Sequence, residues 1–144
     1  MTCADNAVAL FGSGFNCAQA VLMAFAKEMG LDPGVAAKLA SGFGGGMGRM
    51  AGICGAVTGA YLVLGLKHGA ASAEDKEAKE KVYRLVKEFA DKFRARHGSV
   101  VCRDLLKCDI STVPGLEEAK KMGVFGTVCP KMVRDAVEIL EEMA

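Results

Sequence analysis

Cysteine is the residue type in this sequence with the most specific chemistry. A thiolate binds soft metals and attacks disulfides, and clustered thiols in a reducing compartment are usually metal ligands or redox groups. The six cysteines are Cys3, Cys17, Cys54, Cys102, Cys108 and Cys129. None forms a C-x-x-C pair, which would indicate a zinc ribbon or a thioredoxin-like motif. The intervals between them are long, so the fold must assemble any shared site.

Four of these cysteines lie near a predicted helix N-terminus: Cys17, Cys54, Cys102 and Cys129. Unpaired backbone N–H groups and the positive end of the helix dipole stabilise a thiolate there, so we expect a lowered pKa. A thiolate serves metal binding and redox exchange equally, and this argument does not separate the two. The alternative is that each cysteine packs as a small apolar side chain. The argument does not extend to Cys3 and Cys108.

The elements that must position these thiols are helices. Apolar residues recur at helical spacing in residues 16–29, 33–40, 72–98 and 129–140, and no stretch alternates long enough for a strand. The predicted fold is a single-domain, compact, all-α bundle of about five to seven helices, spanning residues 1–144. A length of 144 residues with 51% hydrophobic residues suits one domain with a sizeable core.

A glycine-rich segment, residues 42–59, contains eight of the 18 glycines and leads into an apolar stretch ending near His68. Since glycine lets backbones approach closely, we expect a central, tightly packed helix with Cys54 near its start. A phosphate-binding loop is disfavoured because no strand precedes the segment and no Walker lysine motif occurs. The seventeen uncharged residues 50–66 are short for a membrane span, so a buried core helix is favoured.

Charge and the N-terminus exclude several functions. The net charge is +1, with acidic and basic residues nearly balanced, so no nucleic-acid partner is indicated. The N-terminus has no basic region before an apolar segment and no small-residue cleavage site, so we expect a cytoplasmic protein.

Several segments resemble the C_GCAxxG_C_C family of redox-active proteins with four cysteines. They are residues 16–21 (NCAQAV), 42–49 (GFGGGMGR), 54–59 (CGAVTG) and 102–106 (CRDLL), together with Cys129. The resemblance covers nearly the whole chain and implies that Cys17, Cys54, Cys102 and Cys129 form the family's cysteine set. It also implies association with a transporter system. The related non-haem domain of split-Soret cytochromes implies an iron–sulfur cluster, whereas the missing C-x-x-C-H motif means that covalent haem is not implied.

Three functions stay open at this stage. The first is electron transfer by an iron–sulfur cluster or another thiolate-bound metal, with Gly48, Arg49 and Gly55 as supporting residues. Zinc ranks lower because structural zinc sites usually present paired cysteines. The second is a metal-free thiol–disulfide redox protein in which two of the four form a couple. The third is a structural or interaction module in which the cysteines only pack. The sequence leaves open whether the chain is an enzyme, its redox partner and its oligomeric state, including a homo-oligomer.

Overall fold

Eight α-helices make up the fold of residues 1–143, which are the residues that the computed structural model describes. They are α1 (Cys3–Gly12), α2 (Cys17–Ala26), α3 (Pro33–Ala40), α4 (Gly55–His68), α5 (Lys76–His97), α6 (Cys102–Leu106), α7 (Val113–Met122) and α8 (Val124–Met143). Ser41–Phe43 adds a turn of 3₁₀ helix. The all-α class is confirmed, although the helices slightly outnumber the five to seven predicted.

Side chains placed just before the helices determine where several of them begin. At the start of α2, Asn16 Oδ1 accepts a hydrogen bond from the Gln19 N–H, and Gln19 Oε1 accepts one from the Asn16 N–H, both at 2.9 Å. This capping box satisfies two N–H groups that the helix cannot pair itself. Asp32 and Asp75 cap α3 and α5 in the simpler way, by accepting from the third helical residue. The start of α2, which carries Cys17, is therefore fixed.

Helix α4 is the central helix of the bundle, as its small residues predicted. It packs against α2, α5 and α8, and its contact with α2 is the most extensive in the molecule. A Cβ at Gly59 would lie 2.8 Å from the Ala18 oxygen and 3.0 Å from Ala18 Cα, so only glycine allows this approach. The largest fully buried side chains around α4 include Phe89 and Phe93 of α5.

The apolar segment predicted at residues 50–66 contributes only its second part to α4, which is 14 residues long. The part of the chain that the structure describes contains no helix long and apolar enough to cross a membrane. The first part of the segment instead follows directly on an unusual turn.

Residues 45–49 form this turn, with five consecutive positive φ angles between 63° and 69°. Such a run is a short piece of left-handed helix, closed by a hydrogen bond from the Arg49 N–H to the Gly44 oxygen at 3.1 Å. Met47 and Arg49 adopt this conformation although it costs an L-residue about 1–2 kcal/mol. The sequence predicted close backbone approach in this segment, but it gave no indication of the left-handed geometry.

The start predicted for the last helix, at Cys129, is wrong. Helix α8 begins at Val124 and continues through Pro130, so Cys129 lies more than one turn inside it. Gly123, with a φ of 67°, ends α7, and the chain enters the next helix at once. Proline lacks an N–H, so the Gly126 carbonyl four residues earlier loses its helical partner. Pro130 therefore marks an irregular point inside a helix, whereas Pro33 and Pro114 lie in the first turn of α3 and α7.

Candidate four-cysteine site

One cavity of about 250 Å³ is lined by Cys17, Cys54, Cys102 and Cys129. Each comes from a different helix or helix start: Cys17 opens α2, Cys54 precedes α4, Cys102 opens α6 and Cys129 lies within α8. The fold thus brings together four thiols that are far apart in sequence, as their predicted roles require. Cys17 is partly exposed and the other three are buried.

A short antiparallel backbone pairing holds Cys54 and Cys102 beside each other. The Cys54 N–H donates to the Val100 oxygen at 2.8 Å, and the Cys102 N–H donates to the Gly52 oxygen at 2.6 Å. A single β-bridge between Ile53 and Val101 lies between these bonds. Two helix starts that are far apart in the chain are therefore held together by backbone alone.

Glycines provide the space in which two of the thiols sit. A Cβ at Gly46, in the left-handed turn, would lie 2.8 Å from the Cys102 Cβ and 2.6 Å from the Gly52 nitrogen. A Cβ at Gly55 would lie 3.2 Å from the Cys17 Cβ. The first distance is shorter than any real contact between carbon atoms, so Gly46 is required for the position of Cys102.

The expectation that helix N-termini lower the thiol pKa values is wrong for Cys17, Cys54 and Cys102, and it does not apply to Cys129, which lies inside a helix. Burial raises the pKa of the Cys54 thiol to about 11, although the backbone N–H groups of Ala56 and Val57 oppose the rise. Burial, and then the neighbouring thiols, raise the pKa of Cys102 to about 12. The loss of hydration on burial outweighs the helix terminus at both positions.

The thiol of Cys17, the third of these, interacts with that of Cys129. A hydrogen bond from the Cys17 thiol stabilises the thiolate of Cys129 and lowers the pKa of Cys129. The same bond, followed by burial and the other thiols, raises the pKa of Cys17. In the metal-free protein, one thiol of this pair therefore ionises much more readily than the other.

The rest of the cavity wall is mainly apolar, with side chains that include Phe11, Leu105, Ile110 and Phe125. Of the supporting residues predicted from sequence, Arg49 and Gly55 line the cavity and Gly48 does not. Sequence reasoning missed Lys120, which also lines the wall. Its position on α7 carried no signal, because nothing in its neighbourhood indicates that α7 covers the cavity.

The two remaining cysteines lie elsewhere. Cys108 is buried with Cys102 and Cys129 in a small apolar cluster, but it does not line the cavity. Cys3 lies at the opposite end of the bundle, where its thiol donates to the Ala24 oxygen at 3.6 Å. Among residues 1–143, no three side chains of His, Cys, Asp or Glu are grouped closely enough to hold a single metal ion. The four thiols are instead distributed around the cavity wall.

The fold and this site define an all-α protein with four cysteines around one internal cavity. The chain belongs to the C_GCAxxG_C_C family, whose sequence model matches residues 15–143 and whose description is "Putative redox-active protein (C_GCAxxG_C_C)". This description gives the family a redox role and names no cofactor. No curated protein and no solved structure matches the chain.

Proposed function

We propose that this chain is a redox protein whose four cavity cysteines hold an iron–sulfur cluster. The observation that carries the proposal is the convergence of Cys17, Cys54, Cys102 and Cys129 on one cavity of about 250 Å³. Four cysteine thiolates are the usual ligand set of both [2Fe–2S] and [4Fe–4S] clusters. The volume of the whole cavity exceeds the needs of one ion, which favours a larger occupant.

The surroundings of the thiols fit such a group. A cluster with four thiolates carries net negative charge, and the two charged side chains in the wall, Arg49 and Lys120, are cations. Burial disfavours thiolates in the metal-free protein, but coordination to a metal deprotonates a thiol outright. The raised pKa values of Cys54 and Cys102 are thus compatible with ligation.

The remaining residues of the site orient the cysteine ligands and surround the cavity. Gly46 and the backbone pairing of Cys54 and Cys102 orient two of the ligands. Phe11 and Phe125 contribute apolar surface to the cavity wall, and both burial and nearby charge tune a redox potential. When bound, an iron–sulfur cluster supplies transfer of single electrons.

A metal-free thiol–disulfide function is the second candidate, and the Cys17–Cys129 pair favours it. The Cys129 thiolate would attack a disulfide of a partner protein and form a mixed disulfide, releasing one partner thiol. Cys17 would then lose its proton and attack Cys129, releasing the second partner thiol. The chain would end oxidised, with one disulfide, and the partner disulfide would end reduced to two thiols.

Anaerobic purification with iron and sulfide analysis tests the first candidate. We expect stoichiometric iron and acid-labile sulfide, with visible absorption that is lost or strongly reduced in Cys17→Ala, Cys54→Ala, Cys102→Ala and Cys129→Ala. Cys3→Ala and Cys108→Ala are matched controls, since neither residue lines the cavity, and both should keep full iron content. Protein without iron after anaerobic reconstitution would overturn this candidate.

A redox titration with mass spectrometry tests the second candidate on the same variants. A reversible disulfide between Cys17 and Cys129 in iron-free protein, absent from Cys129→Ala, would support it. If only random disulfides that include Cys3 or Cys108 appear, the thiol–disulfide candidate fails.

A further inference from the structure

The two charged residues that line the wall of the four-cysteine cavity are both cations, and the carboxylate that acts on its thiols, Asp109, lies outside the lining. Arg49 and Lys120 line its wall, and none of the aspartates or glutamates of residues 1–143 does so. Both side chains belong to exposed residues at a mainly apolar wall, and charge-assisted hydrogen bonds from such cations favour a bound anion. Cations in the wall could also serve only to balance the charge of the thiolates. Further features of Arg49 distinguish an anion site from this simpler role.

The backbone at Arg49 is held in a conformation that its side chain disfavours. Its φ is 63°, in a turn where Gly45, Gly46 and Gly48 supply the residue type suited to such angles. A glycine at position 49 would remove the strain, so the turn retains an arginine side chain at a conformational cost. Residues held in this way are concentrated at ligand sites.

Gly45 makes a space for the arginine side chain. A Cβ at Gly45 would lie 2.8 Å from Arg49 Cγ, so the side chain folds back over the turn at a point that only glycine leaves open. Gly45 itself lines the cavity. The turn therefore directs the stem of Arg49 along the cavity wall.

Arg49 also lacks a carboxylate partner among the ion pairs of residues 1–143. By contrast, Arg96 pairs with Glu142 at 2.6 Å and Arg134 pairs with Asp5 at 3.0 Å. A guanidinium presents five N–H donors in a planar fork that matches the two oxygens of a carboxylate, phosphate or similar oxyanion. These donors are available at Arg49.

We propose that the Arg49 side of the cavity binds a small oxyanion, with Arg49 as the principal contact and Lys120 as the second. This inference rests on the redox function proposed above, because the oxyanion would be a ligand or substrate of the same four-cysteine site. The shared chemistry is a compact anion with at least two oxygens on one atom, which the guanidinium contacts with two N–H groups.

Titration of the protein with inorganic phosphate and with sulfate, followed by NMR, tests the proposal. We expect saturable shifts of the Arg49 side-chain N–H signal, in metal-free and in iron-loaded protein, and no such shifts with chloride at matched ionic strength. Arg49→Gln should weaken binding about tenfold or more, and Lys120→Gln by a smaller factor. Glutamine keeps the strained backbone position, while Lys120→Gln alters only an exposed residue of α7.

Matched controls are Arg84→Gln and Lys121→Gln, which remove exposed cations that do not line the cavity. Both should bind phosphate and sulfate as the unmodified protein does. Equal affinity in Arg49→Gln and Arg84→Gln would overturn the oxyanion site. So would an Arg49→Gln variant that loses iron while the unmodified protein binds neither anion, because Arg49 would then only balance charge.

The two proposals fail separately. If the protein binds iron but no anion, the cluster proposal stands and the oxyanion proposal fails. If the protein never retains iron but binds anions through Arg49, the oxyanion proposal stands and the cluster proposal fails.

Discussion

The two ends of helix α4 lie at two cavities whose charged residues differ. Its N-terminal end reaches the four-cysteine cavity, where the charged residues of the wall are Arg49 and Lys120. Its C-terminal end reaches a second cavity of about 480 Å³ that is lined by one cysteine, Cys3, by the carboxylates of Glu28 and Glu141, and by Lys67 and His68. The same helix therefore separates four thiols whose cavity wall has only cations from one thiol whose cavity wall also has carboxylates.

Burial is the largest cause of the raised pKa of Cys3 at one end and of Cys102 at the other, and the further causes differ. The pKa of Cys3 is raised to about 11 by burial and then by the charges of Glu141 and Glu28, which persist whatever binds. At the other end, the pKa of Cys102 is raised by burial, then by the thiols Cys54 and Cys129, and last by Asp109. A bound metal cation would neutralise the thiolates together, so ligation would remove the contribution of the neighbouring thiols. A raised pKa alone thus does not mark a cysteine as inert.

The backbone differs between the ends as well. Close to the four cysteines, neighbouring atoms pack directly against glycines such as Gly46 and Gly59. Towards the Cys3 end, a Cβ added at Gly30 or Gly65 would meet no atom within 4 Å. The closely packed Gly46 and Gly59 can therefore be compared with the open Gly30 and Gly65.

The largest effect that we predict on stability is at Gly46. Both Gly46 and Gly30 have a positive φ, 69° and 73°, but only Gly46 would place a Cβ against backbone and against Cys102. We expect Gly46→Ala to lower the free energy of unfolding by about 2–5 kcal/mol, from backbone strain plus overpacking. Gly30→Ala carries the strain alone and should cost about 1 kcal/mol.

Urea unfolding of reduced, metal-free protein measures both changes, and iron content after reconstitution provides a second measurement. Gly46→Ala should also impair iron retention, while Gly30→Ala should not. Equal losses of stability in the two variants would mean that the close approach to Cys102 has no energetic importance.

Much of the fold was predictable because its signals are local. The caps at Asn16 and Asp32 and the central position of α4 follow from residue types that act within a few positions. The left-handed turn was not predictable, since Met47 and Arg49 oppose it and tertiary contacts must impose it. Proline suggested a helix start at Cys129, but the helix begins earlier, at Val124.

The sequence singled out the four cysteines by their positions near predicted helix starts and by the resemblance, and the fold shows that these four line one cavity. Their pKa values were not predictable. The pKa directions depend on burial, which local sequence does not reveal, so the helix-terminus argument gave the wrong sign at Cys54 and Cys102. Lys120 enters the wall through the packing of α7, which is a tertiary property.

Smaller changes in the free energy of unfolding, opposite in sign, are predicted for alanine substitutions at two glycines of α4. Gly59→Ala would place a Cβ 2.8 Å from the Ala18 oxygen, so we expect a loss of about 1–3 kcal/mol in unfolding free energy. Gly65→Ala meets no atom within 4 Å and should stabilise the protein by about 0.5–1 kcal/mol, because alanine favours helix over glycine. Thermal and urea unfolding would measure both. A stabilising Gly59→Ala would contradict the close packing of α2 and α4.

The smallest effect concerns the reactivity of Cys3. Since its pKa is raised from 9.0 to about 11, its thiolate fraction at pH 9 is about fiftyfold below that of an ordinary thiol. Alkylation of Cys3 by iodoacetamide, followed by mass spectrometry, should be slow at pH 9 and rise steeply towards pH 11. Because the folded state favours the neutral thiol, its contribution to stability is complete below pH 9 and is lost as the pH rises through 11.

The contribution of the carboxylates to the raised pKa of Cys3 can be separated from that of burial by mutation. Glu141→Gln removes the largest charge that opposes the Cys3 thiolate, so alkylation should accelerate at pH 9 but stay slower than in the unfolded chain, because burial remains the main cause. Glu142→Gln is the matched control, since Glu142 pairs with Arg96 and does not line the cavity. If both variants react alike, the acids at this end do not set the state of Cys3, and the contrast between the two cavities would reduce to the number of their thiols.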